Sequence, residues 1–242
     1  MAPAAKYSHD EQEELILNAA AECIWETSIL DFTMSAVGKK AGLSMGSIYK
    51  HVQCKEDIIF ALARRVFLRH SAVFASILEM EEFTTPEKVM GIALLGPKQI
   101  EVYPFDCQLL AFANNEAVIR RASSLWTERM MTASEKCEKQ FKKCMHSAAF
   151  NQELVLNGDT ENSVEHFNVV CWAMIEGYEG VKRIIQLRQI VEGTDSLTAP
   201  VQLDEPLITG LQRFINSYEW RQPITTEAIE RVAAKLEELE LR

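Results

Sequence analysis

Between Phe32 and Lys55 the sequence holds four lysines, Lys39, Lys40, Lys50 and Lys55, and no aspartate or glutamate, in a chain whose formal net charge is -10. Ammonium groups interleaved with the hydroxyls of Thr33, Ser44, Ser47 and Tyr49 are the side chains that pair with phosphodiester oxygens. The net charge argues against general affinity for nucleic acid, so any such contact has to be made by this basic island. The six cysteines lie far apart without a CxxC spacing, so they suggest neither a zinc site nor a redox motif, and reduced thiols in a cytoplasmic protein fit them best. None of the five histidines follows a glutamate by three residues, as a di-metal bundle would require, and there is no HExxH, phosphate-binding glycine loop or nucleophile elbow. The sequence therefore gives no reason to expect an enzyme, a metal or a cofactor.

The elements that must position the basic island are helices. Leu15, Ile16, Ala19, Ala20, Cys23 and Ile24 recur at three- and four-residue spacing and predict a first helix over about 9–27. Thr33 is placed to cap a short helix ending near Lys40. Gly42 then supplies a turn residue that tolerates positive φ, and Ser44 caps a second short helix running to about His51. Gly38 is small enough for the second helix to cross the first closely, while Val37, Ala41, Leu43 and Ile48 fall on a shared buried face. That leaves Met45, Ser47, Lys50 and His51 facing outward. On spacing alone these residues fit an ordinary helical hairpin as well as a DNA-reading helix-turn-helix. Tyr49 fits a core ring as well as a phosphate contact, and His51 a packed helix end as well as a base-facing side chain.

The run Thr33-Met34 through Ala41-Gly42-Leu43-Ser44-Met45-Gly46-Ser47-Ile48-Tyr49-Lys50-His51, followed by Lys55-Glu56-Asp57, resembles the signature of the TetR family of transcriptional regulators. The resemblance covers about 50 N-terminal residues. It implies a homodimer whose recognition helices enter successive major grooves of a palindromic double-stranded DNA operator, with a small-molecule effector altering their separation. It also implies that Thr33, Ser44, Tyr49 and Lys55 contact phosphates and that Met45, Ser47, Lys50 and His51 face base edges or nearby backbone. The sequence departs from the family where Val52-Gln53-Cys54 replaces an aromatic residue and a serine. Cys54 is a poor cap for the helix that Lys55 opens, and Val52 leaves a smaller apolar contact behind the recognition helix.

Beyond the island the pattern stays helical. A chain of 242 residues, 48% hydrophobic, with only ten Gly and seven Pro, buries a sizeable core, and no apolar run reaches the length that spans a bilayer. Long helices are expected from Lys55 towards Leu78, over about 123–150 and over about 163–191, with a start at Thr85-Pro86-Glu87, a polar loop from Asn151 to Asn162, a linker from Gly193 to Leu203 and two last helices after Pro206 and Pro223. The fold class is all-α: a helix-turn-helix domain over 1–54, then a helical dimerisation and ligand-sensing domain over 55–242.

Two faces of the later helices are candidate sites. Ala173, Gly177 and Gly180, with Val181 and Ile184 beside them, form a small-residue stripe that suits close helix packing, either within the chain or across a dimer. Phe167, Cys171, Met174 and Tyr178 share a neighbouring face. Together with Phe105, Leu109, Phe112, Trp126 and Met130 they are expected either to line an apolar effector pocket or to be plain core. Glu176 beside them suits a cationic effector or solvent. The function expected is a sequence-specific regulator, a repressor released by its effector. The competing reading is a helical protein-interaction module without operator specificity.

Overall fold

A computed structural model describes residues 7–155, 158–191 and 199–242, the side chains of 186–191 excepted. Most of the predicted linker from Gly193 to Leu203 lies outside the described residues. The helices run in the order α1 (His9–Glu26), α2 (Met34–Ala41), α3 (Met45–His51), α4 (Lys55–Leu78), α5 (Thr85–Ala93), α6 (Pro97–Ile100), α7 (Asp106–Ala113), α8 (Glu116–Ile119), α9 (Ser124–Phe150), α10 (Thr160–Val191), α11 (Pro206–Ile215) and α12 (Thr226–Glu238). No described helix is long and apolar enough to cross a membrane. The described residues are all-α apart from two short strands, β1 (Leu154–Val155) and β2 (Glu219–Trp220), paired antiparallel with Leu154 opposite Trp220. β1 falls inside the predicted polar loop and β2 between the last two helices, and two residues each are too few for a period to show. Both Leu154 and Trp220 are buried.

The residues form two compact units. The first comprises 1–69 and 101–135, and the second comprises 70–100 and 136–242, so the boundaries fall inside α4 and α9. The unit that holds the helix-turn-helix therefore extends past residue 54. Its core joins Ile16, Ala20 and Ile24 of α1, Val37 and Ile48 of α2 and α3, Ile58, Phe60 and Leu62 of α4, and Leu109, Trp126 and Met130.

In the second unit α5 packs against α11 and α12, and α10 against α11. Phe167 lies at the centre of an aromatic cluster, with ring centroids at 4.9 Å from Tyr218, 5.4 Å from Phe214, 6.0 Å from Trp220 and 6.1 Å from Phe141. α5 begins with a reciprocal capping box in which Thr84 and Glu87 accept each other's backbone N–H. The buried Glu87 carboxylate is also paired with Arg231 of α12, which ties the start of one helix to another.

Candidate nucleic-acid interface

Each short helix of the turn is held by the residue that the sequence assigns to hold it. The Thr33 hydroxyl accepts from the Ala36 N–H at 3.1 Å and starts α2, and the Ser44 hydroxyl accepts from the Ser47 N–H at 3.2 Å and starts α3. Gly42 ends α2 in the left-handed region at φ 66, where a side chain costs about 1–2 kcal/mol. A Cβ added at Gly38 would lie 3.0 Å from the Met45 sulfur and 3.5 Å from both Ile48 and the Leu43 carbonyl oxygen, so α3 crosses α2 as closely as the sequence requires. Val37 and Ile48 are fully buried at that crossing.

The exposed surface of the turn carries Thr33, Lys39, Ser44, Gly46, Tyr49 and Lys50, with Met45 and Ser47 half-buried among them. Tyr49 is 52% exposed, which leaves its hydroxyl available to a phosphate. The four lysines of the island are not equivalent. Lys40 is neutralised by α1, its ammonium lying 2.5 Å from Glu26 and 3.2 Å from Glu22, and its pKa is raised chiefly by the hydrogen bond to Glu26. Lys55 turns back on its own unit, donating to the Leu30 carbonyl at 2.8 Å and lying 4.5 Å from the centre of the Phe32 ring. Lys39 and Lys50 are exposed.

His51 is a correction to the outward set. Its ring is only 7% exposed and packs against His9 with centroids 4.2 Å apart, because the last turn of α3 rolls it towards the start of α1. Burial, and then the neighbouring His9, push its pKa down. Its backbone carbonyl accepts the indole N–H of Trp126 at 2.8 Å.

Two supports of α3 come from residues outside the turn. Asp57, fully buried, accepts from the Gln53 N–H at 2.8 Å through one carboxylate oxygen and from the Ser123 N–H at 2.7 Å through the other. It thereby replaces the cap that Cys54 does not provide; the Cys54 thiol instead donates to the Arg121 carbonyl at 3.4 Å, and burial pushes its pKa up to about 11. The aromatic missing at Val52 has a counterpart in Trp126, which is 1% exposed and bonded to the end of α3. An Asp at the third helical position was a visible signal for the first. Nothing near residue 52 pointed to a tryptophan over seventy positions away.

The residues expected at an effector pocket divide between the two cores. Phe105, Leu109, Trp126 and Met130 are buried in the first unit, with Phe112 half-buried beside them, in the same core as α1 to α3. Phe167 and Cys171 are buried in the second unit, with Met174 and Tyr178 half-buried against that core. Burial pushes the Cys171 thiol up to about 12, and the Tyr178 hydroxyl donates to Glu205 at 2.6 Å. The second unit also holds a cleft of about 360 Å³ whose wall includes Thr85, Lys88, Gln140, Cys144 and Glu153. Its lining mixes polar and apolar side chains, and none of the nine expected residues lines it.

On α10 the small-residue stripe is open. Ala173, Gly177, Val181 and Ile184 are exposed and Gly180 half-buried, and a Cβ at either glycine would meet nothing within 4 Å. Val169, Trp172 and Ile185 extend the same exposed apolar stretch. Glu176 is also exposed on this helix.

Comparison with known proteins bears on this arrangement. Solved structures with a similar fold include a protein of unknown function from Rhodococcus sp. RHA1, at 16% identity and a TM-score of 0.60 over 90% of this chain and 99% of that one. Reduced NemR of E. coli is similar at 13% identity and a TM-score of 0.53 over 86% and 98% of the two chains. SmeT, the repressor of the Stenotrophomonas maltophilia multidrug efflux pump SmeDEF, is similar at 16% and 0.50 over 88% and 93%. At these identities the likeness is one of fold. No curated protein matches the sequence. Residues 16–62, from the core of α1 through the first turns of α4, match the family model of the bacterial regulatory proteins, tetR family. With its capped helices, left-handed glycine turn and close α2–α3 crossing, that segment is a helix-turn-helix, and over residues 16–62 it is similar to the bacterial regulatory proteins of the tetR family.

Proposed function

We propose that the chain is a homodimeric repressor that reads a palindromic operator with α3 and is released by a small-molecule effector. The observation that carries the reading is the outward face of the turn, where Thr33, Ser44, Tyr49 and Lys50 stand exposed on helices fixed from behind by Gly38, Asp57 and Trp126. Thr33, Ser44 and Tyr49 are assigned to phosphates, and Met45, Ser47 and Lys50 to base edges or nearby backbone. Lys55 reaches a phosphate only by giving up or sharing its bond to the Leu30 carbonyl. The segment 1–54 makes the contacts, and 55–242 supplies dimerisation and sensing. The open stripe of α10 supports the pairing of two copies, since one seven-residue recognition helix contacts too few base pairs alone.

For the effector, Phe105, Leu109, Trp126 and Met130 are already occupied in supporting the helix-turn-helix, so the site is assigned to the Phe167, Met174 and Tyr178 side of α10. The flexible Met174 and the half-buried Tyr178 are the groups able to move aside for an apolar ligand. Trp220, 6.0 Å from Phe167, is then the fluorescence reporter.

Selecting bound duplexes from a random DNA pool, over a range of salt concentrations, tests the reading. A palindromic consensus whose affinity falls steeply with salt supports it. Absence of any sequence preference at low salt would instead favour an interaction module. An inducer must, by linkage, bind more weakly to the operator complex by the same factor with which it weakens DNA binding.

A further inference from the structure

We propose that His9, Glu13 and His51 form a divalent transition-metal site, of the kind that takes Zn2+, which fastens the C-terminal end of the recognition helix to the start of α1. One ligating atom from each of the three lies within 4.8 Å of the others. His9 and Glu13 are one turn apart at the start of α1, and His51 is the last residue of α3. The second, independent observation is at His51 itself. The side chain is 7% exposed, and its Nδ1 is buried with no hydrogen-bond partner, in a ring whose centroid lies 4.2 Å from that of His9 at a tilt of 45°. A buried ring nitrogen without a partner is costly, a cost that a metal bond removes.

Two imidazoles and a carboxylate are the donor set of a borderline cation, and three protein ligands leave a fourth position to water. With metal–ligand bonds near 2.0–2.1 Å, tetrahedral donors stand about 3.4 Å apart, so the three groups must close by about 1 Å. His9 can do so because its side chain is 65% exposed. The surrounding charges are mixed. Asp10 lies 3.7 Å from the His9 Nδ1, and Arg129 lies 3.2 Å from one Glu13 oxygen. Sequence spacing gives no sign of the site, because two ligands sit on one helix and the third lies some forty residues on.

The site does not depend on the DNA-binding reading, and its test does not use DNA. Zn2+ titrated calorimetrically into the full chain under a thiol-free reductant is expected to bind once per chain. It should raise Tm by on the order of 5 °C at a hundredfold excess over Kd, reversibly on chelation. His9→Ala and Glu13→Gln, both at positions that are not buried, are expected to weaken binding by at least about tenfold while leaving the helical circular dichroism unchanged. Co2+ as a spectroscopic stand-in is expected to give ligand-field bands without thiolate charge transfer. The proposal is overturned by no binding up to about 100 µM Zn2+, by binding that both variants leave intact, or by a cobalt–thiolate band that assigns the metal to the cysteines instead.

Discussion

Replacing Gly177 and Gly180 by alanine separates a dimer face from an ordinary helix surface. Both glycines sit within α10, and, beyond the backbone of that helix, an added Cβ at either meets no described atom within 4 Å. The only effect within one protomer is therefore helix propensity, where glycine is less favourable than alanine by about 1 kcal/mol per residue, and the double variant gains about 1–2 kcal/mol. If the same face meets its copy through a close crossing, two added methyl groups per chain lie at the contact. Overpacking of that kind costs about 1–3 kcal/mol per site, or a roughly tenfold or greater loss of dimer affinity. The two effects have opposite signs and separate by concentration. Urea denaturation at nanomolar protein should show a more stable chain, and sedimentation equilibrium at micromolar protein a weaker dimer. A dimer of undiminished affinity would place the interface elsewhere. A chain destabilised at nanomolar concentration would mean that the glycines pack against their own chain.

Three further outcomes follow from named contacts. Asp57→Ala strands two backbone N–H groups that now donate at 2.8 and 2.7 Å, and should cost about 2–5 kcal/mol in urea melts, with Asp57→Asn intermediate because the amide offers one acceptor oxygen. Lys50→Ala should reduce the slope of operator affinity against salt by about one phosphate contact, whereas Lys40→Ala, which removes a group already paired with Glu22 and Glu26, should leave it unchanged. Burial holds the His70 imidazole down to about 4, so the unfolded chain takes up that proton first; stability is full above about pH 6.5 and is lost as pH falls towards 4. Asp106, pushed up to about 6 by burial, contributes in the opposite sense over part of that window, so the difference between wild type and His70→Phe is the quantity to measure.

Most of the helical order was legible because it rests on local chemistry. Ser44 and Thr33 cap the helices they precede, Gly42 adopts the positive φ that its place in the turn demands, and the apolar period of α4 marks its full length. What remained hidden depends on distant partners. His51 reads as an outward polar residue until His9 is brought beside it, and Lys55 as a free cation until Leu30 offers its carbonyl. Trp126 and Phe167 both recur with helical spacing among apolar neighbours, and only tertiary packing assigns one to the scaffold of the turn and the other to the aromatic cluster of the second unit.

That assignment bears on how a helix of seven residues can be a precise reader. Alone, α3 has one side-chain cap at its start, no acidic residue in its first turn, and a glycine at its second position. An isolated helix of this length is not stable in water. Its rigidity is imposed at both ends by residues outside it. Gly38 admits it against α2, Asp57 fixes the backbone that follows it, and the Trp126 indole holds its last carbonyl. Asp57 and Trp126 both lie beyond residue 54, and the Asp57 carboxylate joins the start of α4 to the backbone just before α9. A displacement of the Ser123–Trp126 stretch therefore reaches the recognition helix through two hydrogen bonds, without having to deform the turn itself.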